Sequence, residues 1–220
     1  MKKNAWRLCG LAVFVWGASI ARAAVLFQDD VEHGTNGWTL EASGAATSTL
    51  WHITDRNASQ GGHSWWCASP GRGTYADGSN VVNSLLTSPD IALGAIPAVF
   101  AFRESFLTES GIDDCRLLIS TNAGAGWQTL SQCRWGSSAG WNLHVLDLTP
   151  FTGATIRVRF QFSANSYMND YAGWFIDDLI AAEKTDADLD GLFDFEEAWW
   201  GADPALPDTD GDQLIDGAEA

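Results

Sequence analysis

The chain has 220 residues and a formal net charge of −16 at pH 7. Its first 23 residues hold four of the twelve Lys+Arg and none of the 28 Asp+Glu, so the chain beyond them carries 8 − 28 = −20. That balance excludes nucleic acid and anionic membranes as partners and favours cations. Twelve tryptophans, all but Trp6 and Trp16 beyond residue 23, exclude a chain that is disordered throughout.

In chain order, the first segment reads as an export signal at 1–23. Lys2, Lys3 and Arg7 precede an apolar stretch from Leu8 to Ile20, and Ala21-Arg22-Ala23 supplies the small residues a signal peptidase needs. The stretch is short for a bilayer span. Cleavage after Ala23, no membrane insertion afterwards and a secreted or cell-surface location of bacterial type are therefore expected.

Residues 24–183 carry short apolar segments separated by Gly, Ser, Asn and Pro. Several alternate with period two. In Ile156-Arg157-Val158-Arg159-Phe160-Gln161-Phe162 the apolar side chains share one face and Arg157, Arg159 and Gln161 the other. No long amphipathic helix interrupts them, so the expected fold is all-β, an antiparallel sandwich or barrel. Cys67, Cys115 and Cys133 lie in this part. With Gly124 as the centre of a hairpin, Cys115 and Cys133 become directly opposed, and a disulfide between them is expected.

At about Lys184 the composition changes. Residues 184–220 contain twelve acidic residues and one lysine. They repeat with an offset of 22 residues. Asp186, Asp188, Asp190, Asp194 and Glu197 fall at positions 1, 3, 5, 9 and 12 of a first loop, and Asp208, Asp210, Asp212, Asp216 and Glu219 at the same positions of a second. Calcium needs six to eight oxygen ligands, and this spacing is the schedule that provides them, with the carbonyls of Leu192 and Leu214 at position 7. Ca²⁺ is therefore the expected cofactor. Gln213 replaces the glycine expected at position 6, which makes the second loop the weaker one. The first loop, the Ala198–Pro207 link and the second loop resemble thrombospondin type 3 repeats, in which an Asp-Pro step between loops lends a further ligand. Asp203 matches that step.

No catalytic constellation is apparent. His33, His52, His63 and His144 include no His-Glu-x-x-His pair, and no Gly-x-Ser-x-Gly elbow exists. A non-enzymatic chain is expected.

A second resemblance covers residues 25–183. Asp30-Val-Glu32-His-Gly34, Trp51-His-Ile-Thr-Asp55, Gly62-His-Ser-Trp-Trp-Cys67 and Gly173-Trp-Phe-Ile-Asp177-Asp178 are similar to the MAM-like jelly-roll domains of secreted bacterial peptidases, including the immune inhibitor A type. The resemblance implies an antiparallel jelly-roll β-sandwich with a structural calcium held by Glu32 and Asp177. Asp177 also lies within an apolar strand, where a carboxylate must be hydrogen-bonded, paired or metal-bound. Ser120-Thr-Asn122-Ala-Gly124-Ala-Gly-Trp127 resembles an Asp-box hairpin, whose Trp is expected in the core.

The function expected from these features is that of a secreted, calcium-binding, non-catalytic adhesion or binding module. Its partners would be calcium ions and a glycan or surface protein, with Trp51, Trp65, Trp66, Trp135 and Trp141 as candidates for sugar stacking. The alternatives are an accessory domain of a secreted peptidase and a structural cell-surface stalk.

Overall fold

The structure, a computed structural model, describes residues 24–43, 50–76 and 81–219. The expected export signal and the side chain of Cys133 lie outside the described part. Twelve strands follow in order: β1 (Val25–Asp29), β2 (Thr39–Ala42), β3 (Trp51–Thr54), β4 (Ser64–Cys67), β5 (Val82–Thr87), β6 (Ile91–Ala92), β7 (Ala98–Leu107), β8 (Asp114–Ser120), β9 (Gln128–Arg134), β10 (Asn142–Asp147), β11 (Thr155–Ala164) and β12 (Gly173–Glu183). Among the described residues two short α-helices follow, α1 (Asp194–Trp200) and α2 (Asp216–Glu219). No described helix is long and apolar enough to cross a membrane.

The strands form an antiparallel jelly-roll β-sandwich. One sheet runs β10-β7-β12-β4-β3, with β1 also on β12, and the other runs β2-β5-β11-β8-β9, with β6 also on β11. The period-two pattern of β11 is realised as read: Ile156, Val158, Phe160 and Phe162 are buried, and the residues between them face outward. Between the sheets the ring of Phe160 meets those of Trp38, Trp51, Phe100, Phe102 and Trp174, with centroids 5.0–6.5 Å apart. Rings arranged at such separations add to the burial that drives folding. Half of the ten described tryptophans, Trp38, Trp51, Trp65, Trp66 and Trp174, are therefore core. Trp51, Trp65 and Trp66 are buried and offer no sugar platform, whereas Trp135 is 49% exposed.

Strand β12 changes partner midway. Residues 174–176 pair with β4 and residues 179–182 with β1, and the ladder to β7 shifts between Asp177 and Ile180. Asp178 takes a positive φ of 50° at that bulge, the irregularity that lets one strand serve two neighbours.

The hairpin of β8 and β9 corrects two expectations. Two register shifts place Cys115 opposite Arg134, with Leu117 opposite Ser131. Mirror symmetry about Gly124 therefore holds only in part, and Cys115 is a free, buried thiol rather than half of a Cys115–Cys133 bond. The turn is built as an Asp-box hairpin, with Gly126 N donating to Asn122 Oδ1 at 2.8 Å and Gly124 N to Ser120 Oγ at 2.9 Å. Its Trp127, however, lies outside the core, with the Arg159 guanidinium 4.0 Å from its ring.

The acidic segment packs on the sandwich. Phe195 is buried with Val99, Ala101, Ile180 and Ala182 of the outward face of β7 and β12, and Phe193, Trp199 and Leu143 border the cluster. The backbone is tied in the same place, since Lys184 N donates to Pro97 O at 2.7 Å. The outward face of the sheet thus supplies the segment with an apolar core.

Candidate metal centre

The 22-residue repeat becomes a repeated hydrogen-bond pattern. In the first loop Asp186 Oδ1 accepts from Leu189 N at 2.7 Å and its Oδ2 from Gly191 N at 3.2 Å. In the second, Asp208 accepts from Gly211 N at 2.8 Å and from Gln213 N at 3.0 Å. Asp188 and Asp210 accept from the amides two residues on, as do Asp190 and Asp212. These aspartates use short side chains to organise turn amides, and the turn aims their oxygens inward. Each triad, Asp186/Asp188/Asp190 and Asp208/Asp210/Asp212, brings one carboxylate oxygen per residue within 4.8 Å of the others.

The turns need left-handed backbone at two positions each. Position 4 is Leu189 at φ 65° in the first loop and Gly211 at 77° in the second, and position 6 is Gly191 at 99° and Gln213 at 83°. Gln213 is thus strained, as its residue type implied. Leu189 carries the matching strain in the loop expected to be relaxed.

The two loops differ in closure. The position-9 carboxylates fasten their own loops: Asp194 accepts from Ala187 N at 2.9 Å and Thr185 Oγ1 at 3.0 Å, and Asp216 from Thr209 N at 3.0 Å and Thr209 Oγ1 at 2.7 Å. At position 12, Glu197 is 0% exposed, and neither of its carboxylate oxygens has a hydrogen-bond partner among the described residues. Asp188 Oδ2 is likewise buried without one. Burial, with the carboxylates of Asp188, Asp190, Asp194 and Asp216 around it, pushes the Glu197 carboxyl up to about 7. Its counterpart Glu219 is exposed, and its carboxyl is raised by desolvation and by the surrounding Asp212, Asp210, Asp216 and Asp208. Asp203 is exposed and accepts from Ala205 N at 3.3 Å; among the described residues it belongs to neither triad. Leu192 is buried at the floor of the first loop and Leu214 is exposed on the second.

The donor set fits a hard cation. A buried carboxylate with no donor is costly unless it is neutralised or coordinated, and Glu197 stands among three further carboxylates of its own loop. Together these oxygens are the kind calcium takes. Position 12 was legible from spacing. The closing threonines and the sheet-bound Phe195 were not.

In the sandwich, Glu32 and Asp177 both meet the 59–63 loop. Glu32 Oε1 accepts from Gly62 N at 2.7 Å and His63 N at 2.8 Å, and His63 Nδ1 lies 2.8 Å from Oε2. The His63 bond and these amides hold the Glu32 carboxyl down at about 2. Asp177 is 0% exposed, and accepts from Ser59 N and Asp178 N at 2.8 Å each. Its burial outweighs those amides and pushes its carboxyl up to about 7. The loop thus meets Glu32 with N–H groups.

No sequence-family model and no curated protein matches the chain. Solved structures do. A xylan-binding domain from Paenibacillus barcinonensis is similar at 14% identity and a TM-score of 0.49, covering 74% of this chain and 96% of that one. A family 61 carbohydrate-binding module in complex with β-1,4-galactotriose is similar at 14% identity and a TM-score of 0.47, over 68% and 90%. The K3 cleaved adhesin domain of Lys-gingipain from Porphyromonas gingivalis is similar at 13% identity and a TM-score of 0.48, over 72% and 98%.

Proposed function

We propose that the chain is a secreted, non-catalytic binding module whose thrombospondin type 3-like tail binds calcium. The observation that carries this reading is Glu197, a fully buried carboxylate with two unpartnered oxygens beside an aspartate triad. Asp186, Asp188, Asp190 and Glu197 would hold one ion and Asp208, Asp210, Asp212 and Glu219 a second. The ion's chemistry is neutralisation and cross-linking. The chain's own part is to hold the carboxylates together through turn amides and to anchor the first loop to the sandwich. Calorimetry of residues 24–220 tests it. Two calcium ions bound, with a change in tryptophan emission, are expected. No heat and no spectral change at about 1 mM calcium, within the range of extracellular modules, would overturn it.

The proposed partner of the sandwich is a glycan, and a MAM-like domain type is part of the same reading. Trp135 favours it, as an indole 49% exposed at the end of β9. A glycan array probed in calcium with the native chain and with Trp135→Ala tests this. Binding lost in the variant is the expected result.

A further inference from the structure

The second loop reaches back into the first. Gly217 N donates to Asp190 Oδ2 at 2.8 Å across 27 residues of sequence. The other Asp190 oxygen is held within its own loop by Leu192 N at 2.8 Å. Both oxygens of this central triad member are thus oriented by N–H groups, one from each loop. The approach is close: a Cβ placed on Gly217 would lie 2.5 Å from the Asp190 carbonyl oxygen and 3.1 Å from Leu192 N. Only glycine fits there.

Gly217 is in turn placed by the closure of its own loop. Its neighbour Asp216 is held by Thr209 through two hydrogen bonds, and Thr209 Oγ1 also accepts from Asp203 N at 2.8 Å. If the second loop opens, Gly217 leaves Asp190. The contact is specific to this pair of loops, because residue 195, the first-loop counterpart of Gly217, is a phenylalanine buried against the sheet. Charge runs the same way, since Asp216 of the second loop adds to the repulsion on Glu197 of the first.

We infer that the two loops form one cooperative calcium unit, in which Gly217 is a positioning residue for Asp190. Asp203, assigned as a ligand by resemblance, serves here through its amide as part of the same brace. This rests on the calcium reading above. Linkage makes the coupling reciprocal: whatever the second ion does for the first, the first does equally for the second.

The test uses residues 24–220 with calcium alone as the probe. Amide NMR reads Gly191 for the first loop and Gln213 for the second. Gly217→Ala is expected to weaken the first site by about tenfold, an ordinary coupling, with sandwich amides unmoved. Asp212→Asn, which cripples the second site directly, should weaken the first site too. Glu197→Gln should weaken the second by the same factor, a symmetry that a merely structural glycine would not produce. A first site that binds equally well in Gly217→Ala and Asp212→Asn overturns the coupling while the calcium reading stands. A native chain that binds no calcium overturns both.

Discussion

The guanidinium of Arg103 on β7 lies 5.8 Å from the ring of Trp199 on α1. It is also paired at 3.8 Å with Asp178 at the β12 bulge. Sandwich and tail are thus joined by a polar contact beside the apolar cluster around Phe195. Burying a phenylalanine ring contributes about 2–3 kcal/mol, so part of the energy that orders the tail comes from the sheet. Phe195→Ala should therefore destabilise the docked tail by about that amount and raise amide exchange along residues 186–200. A variant with unchanged exchange there would show that the sheet does not anchor α1.

Leu189 and Gln213 give a second prediction. Each holds a left-handed turn that costs a non-glycine residue about 1–2 kcal/mol, and Leu189, at 84% exposed, gains little from packing. Leu189→Gly and Gln213→Gly should each tighten calcium binding at their own loop. The expected gain is several-fold, less the extra freedom glycine has in the unfolded chain. Titrations with no gain in either variant would mean that the turns carry no strain.

Asp177 should give the sandwich a pH dependence. Its carboxyl is raised in the fold to about 7, whereas an unfolded aspartate titrates near 3.9. The folded state then holds a proton the unfolded state has lost, so this contribution is complete below about 4 and disappears as pH rises through about 7. In chelator, the native chain should lose stability across that window relative to Asp177→Asn. Calcium favours the charged form, so if the ion shares this carboxylate, as the jelly-roll resemblance implies, the window moves down in calcium. A window that calcium leaves in place would remove Asp177 from the ligands and leave it to its amides.

What was readable in the sequence follows from how local each feature is. The alternation of β11 and the 22-residue carboxylate schedule depend on neighbours in the chain, and both are realised in the backbone. The Cys115 pairing failed because two irregularities between β8 and β9 shift the register, and a bulge leaves no mark in an alternation of residue types. Trp51, Trp65 and Trp66 failed as a surface signal for a different reason. An indole that stacks on a sugar and one that packs on Phe160 look alike in sequence, and the choice depends on which strand lies opposite. The docking of Phe195 and the reach of Gly217 to Asp190 are contacts between distant segments, and no local pattern announces them.

Glu196 and Glu197 are adjacent and chemically alike, yet the structure gives them opposite tasks. Glu196 Oε2 accepts from Phe193 N at 3.2 Å and caps the start of α1. Glu197 is buried with both oxygens unpartnered. Glu196→Gln should leave calcium affinity unchanged and cost at most about 1 kcal/mol, the usual worth of a cap. Glu197→Gln should act with two signs. On the calcium reading it removes a charged ligand, and binding at the first loop should fall by more than in any other single variant of that loop. In chelator it should stabilise the chain, because it removes a charge that burial and four neighbouring carboxylates disfavour. The pH dependence fixes the cause. Glu197 is raised to about 7 in the fold, so its protonated form is tolerated below that pH and its charged form weakens the fold above it. The gain from Glu197→Gln in chelator should therefore be largest at about pH 8 and fade as pH falls towards 5. Thermal melts of the native chain and both variants, in calcium and in chelator across that range, give the full pattern. A Glu197→Gln chain that loses stability in chelator at pH 8 would mean that this carboxylate is held by donors in solution, and the calcium reading would lose the residue that carries it.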